Sequence, residues 1–600
     1  MSAVRPVSAE AGVPPRSGWR LGFAATLVML AAADTYVVVL ALPSIMAGIG
    51  LSLDHLEAAT PIVSGFLLGY VALLPLLGRL SDRVGRAPVF TGCLVAFAFG
   101  SLVTASAQDL TGAVVGRALQ GAGGGGLVPV TLAIVADLWP AGRRGVPLGV
   151  VGAVQELGSV LGPLYGAAIL TISTWRLIFW LNLPLAAILG AGFLLARPLP
   201  PPGAAVRVRR RPDIAGGVLL GVALCAGALA ITAPGVLAQS LVWGVLYSPL
   251  LGGSDWTTPM ALAALAASAL LCGWGATGTA SSVRLLPVRR LPALWRELDG
   301  LGGLLLATLL GCVVVSFSTA DPSQALVSPA AGFLLPLGAL LLAAFVVRER
   351  RSGQALVPLR EIADPAALGA LLSNLAIGAA LMAALVDVPI FARATADPSS
   401  QLGAALVLVR LLVAVPVGAL AGGLLCERFG YRLTTTAGMA LSTAMFVLMA
   451  RWGTSSIGSG LRPSDPVLVG CGLGFGLAIA PINAAILGAV SQARHGLAAA
   501  LVVVARMMGM LVGVSLLTAI GLRAFYQDIA TIPSPATLCP THPLSCSSYN
   551  TLVQSALLDE LRTVFLAAAV CTALAGVIGG LTLRRQGDHR AHAMEAALGA

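Results

Sequence analysis

The chain has 600 residues, 57% of them hydrophobic and only 10% charged, with a mean hydropathy of +0.92; that composition excludes a soluble globular protein and leaves an integral membrane protein. A net charge of +11 would point to nucleic acid in a soluble chain. Here the Arg residues fall between apolar runs on alternate sides, so the charge reports membrane topology and no nucleic-acid partner is expected.

The apolar runs are around twenty residues long and lack the alternation of barrel strands, so the expected fold is all-α, with each run crossing a hydrocarbon core of about 30 Å. The first, Gly22 to Pro43, is long enough to span and reads as a retained helix rather than a cleaved signal. Runs beginning near Ala59, Val89, Leu110, Val146 and Leu177 complete six spans. The stretch RPLPPPGAAVRVRRRPD, Arg197 to Asp213, then interrupts the pattern as a linker. A last set of six begins near Ala367, Leu402, Thr435, Val467, Gly496 and Leu561. The expected division is an N-terminal six-helix bundle (1–197), a central insert (198–367) and a C-terminal six-helix bundle (368–600).

The insert contains a repeat. PDIAGGVLLGVALCAGALAI from Pro212 matches LDGLGGLLLATLLGCVVVSF from Leu298, with Asp213 on Asp299 and Gly216–Gly217 on Gly302–Gly303. Each copy is followed by another apolar run, Met260 to Gly275 and Gly332 to Val347, and each pair closes with LLPVR or LVPLR. Two helix pairs give four inserted spans and sixteen in all, or fourteen if the short Met260 run does not cross. An even count puts both termini on one side. Arg clusters at Arg83 and Arg86, Arg143 and Arg144, Arg209 to Arg211, Arg289 and Arg290, Arg348 to Arg351, and Arg584 and Arg585 make that side the cytoplasm of a multi-pass protein in the cell membrane.

After the second span stands GRLSDRVGR, with Gly78, Asp82, Arg83, Gly85 and Arg86. The glycines allow a sharp turn, and Asp82 can hold nearby Arg side chains or cap a helix N-terminus, so the loop is a candidate conformational latch. GGLLCERFGYR repeats the device in the second half with Gly423, Glu427, Arg428, Gly430 and Arg432. The run Gly123 to Gly126 is not a phosphate loop, because the chain has no Lys; it reads as close helix packing. Without a nucleotide site, any energy the protein uses must come from an ion gradient or from a substrate's own gradient. No H-x-x-x-D or G-x-S-x-G pattern appears and the five His lie in loops or tails, so no enzyme, metal or cofactor is expected.

Three charges lie deep in apolar runs. At 1.5 Å rise per residue Asp34 sits about 21 Å from the Arg20 edge, Glu156 about 16 Å from Arg144 and Arg506 about 18 Å from Arg494. Each needs a polar cavity, a partner or a proton. A desolvated carboxylate beside a movable Arg can bind and release a proton, and a permanent hydrogen bond or ion pair is the alternative. Near the outer edge, VDVPIFARATADPSSQ, Val386 to Gln401, reads as a hairpin shielding an exit path or as an ordinary loop. It contains Asp387 and Arg393, and Arg410 is expected to pair with Asp387, with Asp397 as the rival. Cys539 and Cys546 share the external loop CPTHPLSC and are a candidate disulfide.

The loop pattern of Gly78, Asp82, Arg83, Gly85 and Arg86 resembles that of the major facilitator superfamily. GRALQGAGGGG, with Arg117, Gln120 and Gly121, resembles its fourth-helix motif. GSVLGPLYG, with Gly158, Gly162, Pro163 and Gly166, resembles its antiporter motif, and WRLIFWLNLP at Trp175 to Pro184 the sixth-helix signature of the drug:proton antiporter branch with fourteen helices. A closer likeness, carried by DTYVVV from Asp34, QELGSVLGPLYG from Gln155, LVDV from Leu385 and HGLAAALVVVARMMGMLVG from His495, is to the actinobacterial lipid exporters, the mycobacterial triacylglyceride transporters that work beside a lipoprotein. The resemblance implies two six-helix bundles with alternating access, export of an apolar lipid, proton coupling through Asp34, Glu156, Arg506 and Arg117, and a lipid-carrying lipoprotein as an outer partner. Efflux of amphipathic drugs is the alternative within the class, and a non-transporting adaptor or sensor the alternative outside it. The duplicated pair and Arg410 depart from the pattern.

Overall fold

A computed structural model describes residues 17–51, 60–196, 213–232, 237, 239–240, 242–250, 257–277, 289, 291–318, 327–352, 356–357, 359–395, 401–453, 456, 462–539 and 547–583. Among these residues there is no strand. The first six crossings are α1 (Ser17–Gly48), the pair α2 (Thr60–Ala72) and α3 (Leu74–Val84), α4 (Arg86–Ser106), α5 (Leu110–Leu138), α6 (Gly145–Ile172) and α7 (Arg176–Leu195). α2 and α3 form one bent crossing, because Pro75 has no N–H to continue the helix across Leu73. Small residues set the distances between the others. A Cβ at Gly123 would collide with Phe97 of α4, one at Gly125 with Tyr70 of α2, and ones at Gly158 and Gly162 with α1 carbonyls. The glycine run and the antiporter-like motif are therefore contact surfaces that bring helix backbones together.

The insert holds α8 (Ile214–Thr232), α9 (Pro259–Ala276), α10 (Gly300–Ser318) and α11 (Ala331–Arg351). The repeat is visible as geometry. Asp213 accepts from Gly216 N and from Trp274 Nε1 of α9, while Asp299 accepts from Gly302 N and from Arg348 of α11. In each copy one aspartate caps its helix and ties the second helix of the pair to it. The copies differ in place: α8 packs on α4 and carries α9 on its other side, whereas α10 lies against α2, α3 and a helix of the second half.

The last six long helices are α12 (Pro365–Thr395), α13 (Gln401–Phe429), α14 (Tyr431–Met449), α15 (Ser464–Ala489), α16 (His495–Ile529) and α17 (Ser547–Thr582). Fifteen described segments are long and apolar enough to cross a membrane. α14 is not one of them; its 19 residues include Arg432, Thr434, Thr435, Thr436, Ser442 and Thr443, which lower its hydropathy, and it packs between α15 and α17. Ser442 Oγ donates to Cys471 O and Thr443 bonds Thr572, so those hydroxyls are satisfied inside the bundle. Residues 17 and 583 lie at the same end, here the near end. α16 and α17, of 35 and 36 residues, exceed the core thickness and project past the far end, about 50 Å long each. Cys539, between them, is disulfide-bonded; Cys546, its expected partner, lies outside the described residues.

Two expectations are corrected. Val386 to Thr395 is neither hairpin nor loop but the end of α12, where Ala384, Val388, Phe391 and Ala392 are buried at helical spacing and Pro389 is accommodated within the helix. Asp397 and residues 396–400 lie outside the described residues, as does the side chain of Arg393. Arg410 of α13 pairs with Asp465 of α15, not with Asp387, because the continued helix carries Asp387 into the bundle toward Glu560 of α17. Asp465 is also fixed by Arg462 N at 2.9 Å.

If α9 crosses the membrane, single cysteines at Leu250 and Arg289 in a background without the native free cysteines label from opposite faces. Labelling of both by one impermeant reagent from the same face of oriented vesicles removes that crossing.

Candidate transport cavity

The two halves touch through α6 with α13 and α15, and through α16 with α3 and α5. Glycines make the near-end contacts possible. A side chain at Gly78 would meet the backbone of Gly496, and one at Gly145 the backbone of Gly423. Both candidate latches work across this seam. Asp82 accepts from Gly496 N at 2.9 Å and Leu497 N at 3.1 Å, the free N–H groups that open α16. Glu427 does the same from α13, accepting from Val146 N at the start of α6 at 2.9 Å. Arg86 holds Asp82 in place and also donates to Ser81 Oγ at 2.8 Å and to Asp137 at 3.0 Å. Gly85 (φ 105°) and Gly430 (φ 84°) make the turns that follow, in a backbone region that side chains disfavour. Arg83 and Arg428 point outward, the latter over the Phe429 ring, and Arg432 is half-buried on α14.

Further from the near end, one ion pair joins the halves among the described residues. Arg506 of α16 donates from Nη2 to Glu156 Oε1 of α6 at 2.5 Å, with the side chains 11% and 5% exposed. The low exposure matters, because removing one member of such a pair costs about 3–5 kcal/mol. The pair lies in the wall of a cavity of about 460 Å³ bounded by α1, α2, α6, α10, α12 and α16. Its other lining is mostly apolar, including Phe66, Leu67, Met382 and Met507; unbranched methionines adapt their shape to irregular apolar ligands. Tyr36 and Tyr70 flank the two charges. A second groove of about 970 Å³ between α14 and α17 has Arg432 as its one charged lining residue and does not reach these groups.

Asp34 is not brought to Glu156. It sits inside the first bundle, where Arg117 Nη1 lies 2.5 Å from Oδ2 and Asn182 Nδ2 2.8 Å from Oδ1. Arg117 also donates to Gln120 Oε1 at 2.6 Å, Gln120 Nε2 to Ser101 Oγ at 2.7 Å, and the guanidinium stacks 4.1 Å from the centroid of Phe66. Asp34, Arg117, Gln120, Asn182 and Ser101 are all within 1% of full burial. Phe66 touches both this network and the cavity. Sequence reading missed Asn182 and Ser101 as members; Asn182 had a signal, an amide in the apolar helix WLNLP. Among the described residues no group of His, Cys, Asp and Glu is arranged to hold a metal ion.

Over residues 24–346 the chain matches the family model of the Major Facilitator Superfamily. It is 34% identical over 575 residues to a protein of Mycolicibacterium smegmatis named triacylglyceride transporter, covering 94% of this chain and 86% of that one. With a protein of Mycobacterium tuberculosis of the same name it shares 33% identity over 593 residues, 96% of each chain. Among solved structures, the E. coli fucose:proton symporter aligns over 94% of this chain and 98% of its own with a TM-score of 0.47 and 14% identity. A proton:xylose symporter aligns over 93% and 94% with a TM-score of 0.49 and 12% identity. By its family match and by relatives of this identity along nearly its whole length, the chain belongs to the major facilitator superfamily and is a membrane transporter, not an enzyme.

Proposed function

We propose that the protein exports an apolar, triacylglyceride-like lipid across the cytoplasmic membrane by alternating access, coupled to protons. The observation that carries this reading is the Glu156–Arg506 pair: one titratable acid and one cation from opposite halves, the only charged groups in the wall of a mostly apolar cavity among the described residues. When the halves separate, Glu156 loses its cation in a desolvated site and takes a proton; when they close, Arg506 displaces that proton. An exchange of this kind links the gradient to the motion. The Asp34–Arg117 pair is the second member of the coupling set, and its contact with Phe66 ties it to the cavity. Names borne by the mycobacterial relatives support the lipid, and a lining of Leu, Val, Phe and Met suits aliphatic chains. With both termini in the cytoplasm, the near-end contacts close the inner side and the cavity is reached from outside. A lipid-carrying lipoprotein is then the receiver of the cargo. The six-helix bundles of residues 1–197 and 368–600 are the moving bodies, and residues 198–367 join them.

Mass spectrometry of the purified protein tests the cargo. Neutral acylglycerols are expected to be enriched over their share of the surrounding membrane, and enrichment of an added amphipathic drug instead would make the protein a drug exporter. The latch has its own test. Asp82→Asn keeps one acceptor for the α16 N–H groups but removes the charge that favours the helix start, a change of about 0.3–1 kcal/mol in the balance of open and closed states. Transport is expected to fall severalfold with the fold and thermal stability retained; a wild-type rate removes the latch.

A further inference from the structure

None of the coupling residues explains the insert, yet the insert enters the cavity. α10 lies in the seam between α2 and α16, and thus between the two halves. Two glycines eight residues apart seat it. Gly303 lies against Leu76 of α3 and Gly311 against Leu68 of α2, each so close that a Cβ would sit 3.1 Å from a leucine methyl. Along its last turns Val314, 1% exposed, and Phe317, half-buried, form part of the cavity lining, opposite residues of α6 and α12. The near end of the pair is anchored separately. Arg348 Nε donates to Asp299 at 2.9 Å, and Glu349 accepts from Leu356 N and Val357 N, which hold those two residues with Phe345 against Leu497 of α16. The first inserted pair has no such position: α8 lies on α4 with α9 packed against α8, and neither is in the lining.

We infer that α10 is part of the substrate site: Val314 and Phe317 contact an acyl chain of the transported lipid, and the α10–α11 pair closes the α2–α16 seam, setting how much chain the cavity admits. The inference rests on the lipid-export reading. It deepens that reading by naming residues outside both bundles that select the cargo. A wall that touches the chain discriminates by fit, and a change of one or two methylene volumes there shifts selection roughly tenfold.

The direct test is Phe317→p-benzoylphenylalanine in vesicles of phosphatidylethanolamine and phosphatidylglycerol containing labelled trioleoylglycerol, with Phe333→p-benzoylphenylalanine as the control on α11, where Phe333 is 70% exposed. Photolabelling at 317 is expected to saturate and to be competed by unlabelled trioleoylglycerol, while labelling at 333 follows bulk lipid. Phe317→Ala and Phe317→Trp are expected to move the trioleoylglycerol-to-trioctanoylglycerol transport ratio in opposite directions. Unsaturable labelling at 317 equal to that at 333 overturns the inference, and leaves the transport reading intact if Glu156→Gln still abolishes transport. Saturable capture at 317 of labelled phosphatidylglycerol, with none of trioleoylglycerol, keeps α10 in the site and rejects the triacylglyceride as cargo.

Discussion

Glu156→Gln is expected to stop gradient-driven transport while the protein still folds and binds lipid, at a lower melting temperature because Arg506, 11% exposed, loses its counter-charge. The amide keeps the shape and the acceptor oxygen that faces Arg506 Nη2, 2.5 Å away, but it cannot titrate. If Glu156 carries the proton, initial rates into vesicles with an imposed proton gradient fall about 100-fold or more, the scale of losing a positioned proton-transfer group. Arg506→Ala should lose transport too, for a different reason: it strands a carboxylate that is 5% exposed and destabilises the protein by about 3–5 kcal/mol. Removing both charges, as Glu156→Gln with Arg506→Gln, should restore much of that stability without restoring transport. Thermal unfolding and proton flux, measured on the same three variants, separate the two effects. Uphill export by Glu156→Gln at the wild-type rate and pH dependence would reduce the pair to a packing contact and move coupling to Asp34.

The sequence revealed the spans and the charges but not the partners. Run lengths and the Asp213/Asp299 repeat pointed to sixteen runs, each of which is a helix; fifteen segments are apolar enough to cross a membrane, and α14, the more polar one, was found from the run near Thr435. Depth along a helix was enough to single out Glu156 and Arg506, because a charge some 16–18 Å into an apolar run has few alternatives to a partner. Pairing across helices was not readable in the same way. For Arg410 only Asp387 and Asp397, its near neighbours in sequence, suggested themselves; that it takes Asp465 depends on how α13 faces α15. In V-D-V-P-I-F the alternation of a strand and the spacing of a helix coincide over six residues, so the end of α12 looked like a turn. Val314 and Phe317 have the same composition as lipid-facing positions, and only packing in the seam distinguishes them.

Asp34 and Arg117 call for a different experiment, because both are enclosed by their own bundle. Asp34→Asn leaves an oxygen for Asn182 Nδ2 but turns the other side chain position from acceptor to donor, facing Arg117 Nη1. Arg117, 1% exposed, then keeps the Gln120 Oε1 hydrogen bond but has lost the counter-charge of Asp34. A loss of about 3–5 kcal/mol is expected from this single change, seen as a lower melting temperature in detergent. Asp34→Asn combined with Arg117→Gln removes both charges and leaves amides that can bond Asn182, Gln120 and Ser101, so the double variant should be more stable than Asp34→Asn alone, with a coupling of about 0.5–3 kcal/mol. Stability alone would fit a static pair as well as a coupling one, and the pH profile separates them. If the pair belongs to the proton path, the stabilised double variant carries lipid only down its own gradient, at a rate indifferent to external pH. Should it instead pump uphill with the wild-type pH profile, Asp34 and Arg117 serve only to hold α1, α5 and α7 together, and Glu156 is left to couple the proton alone.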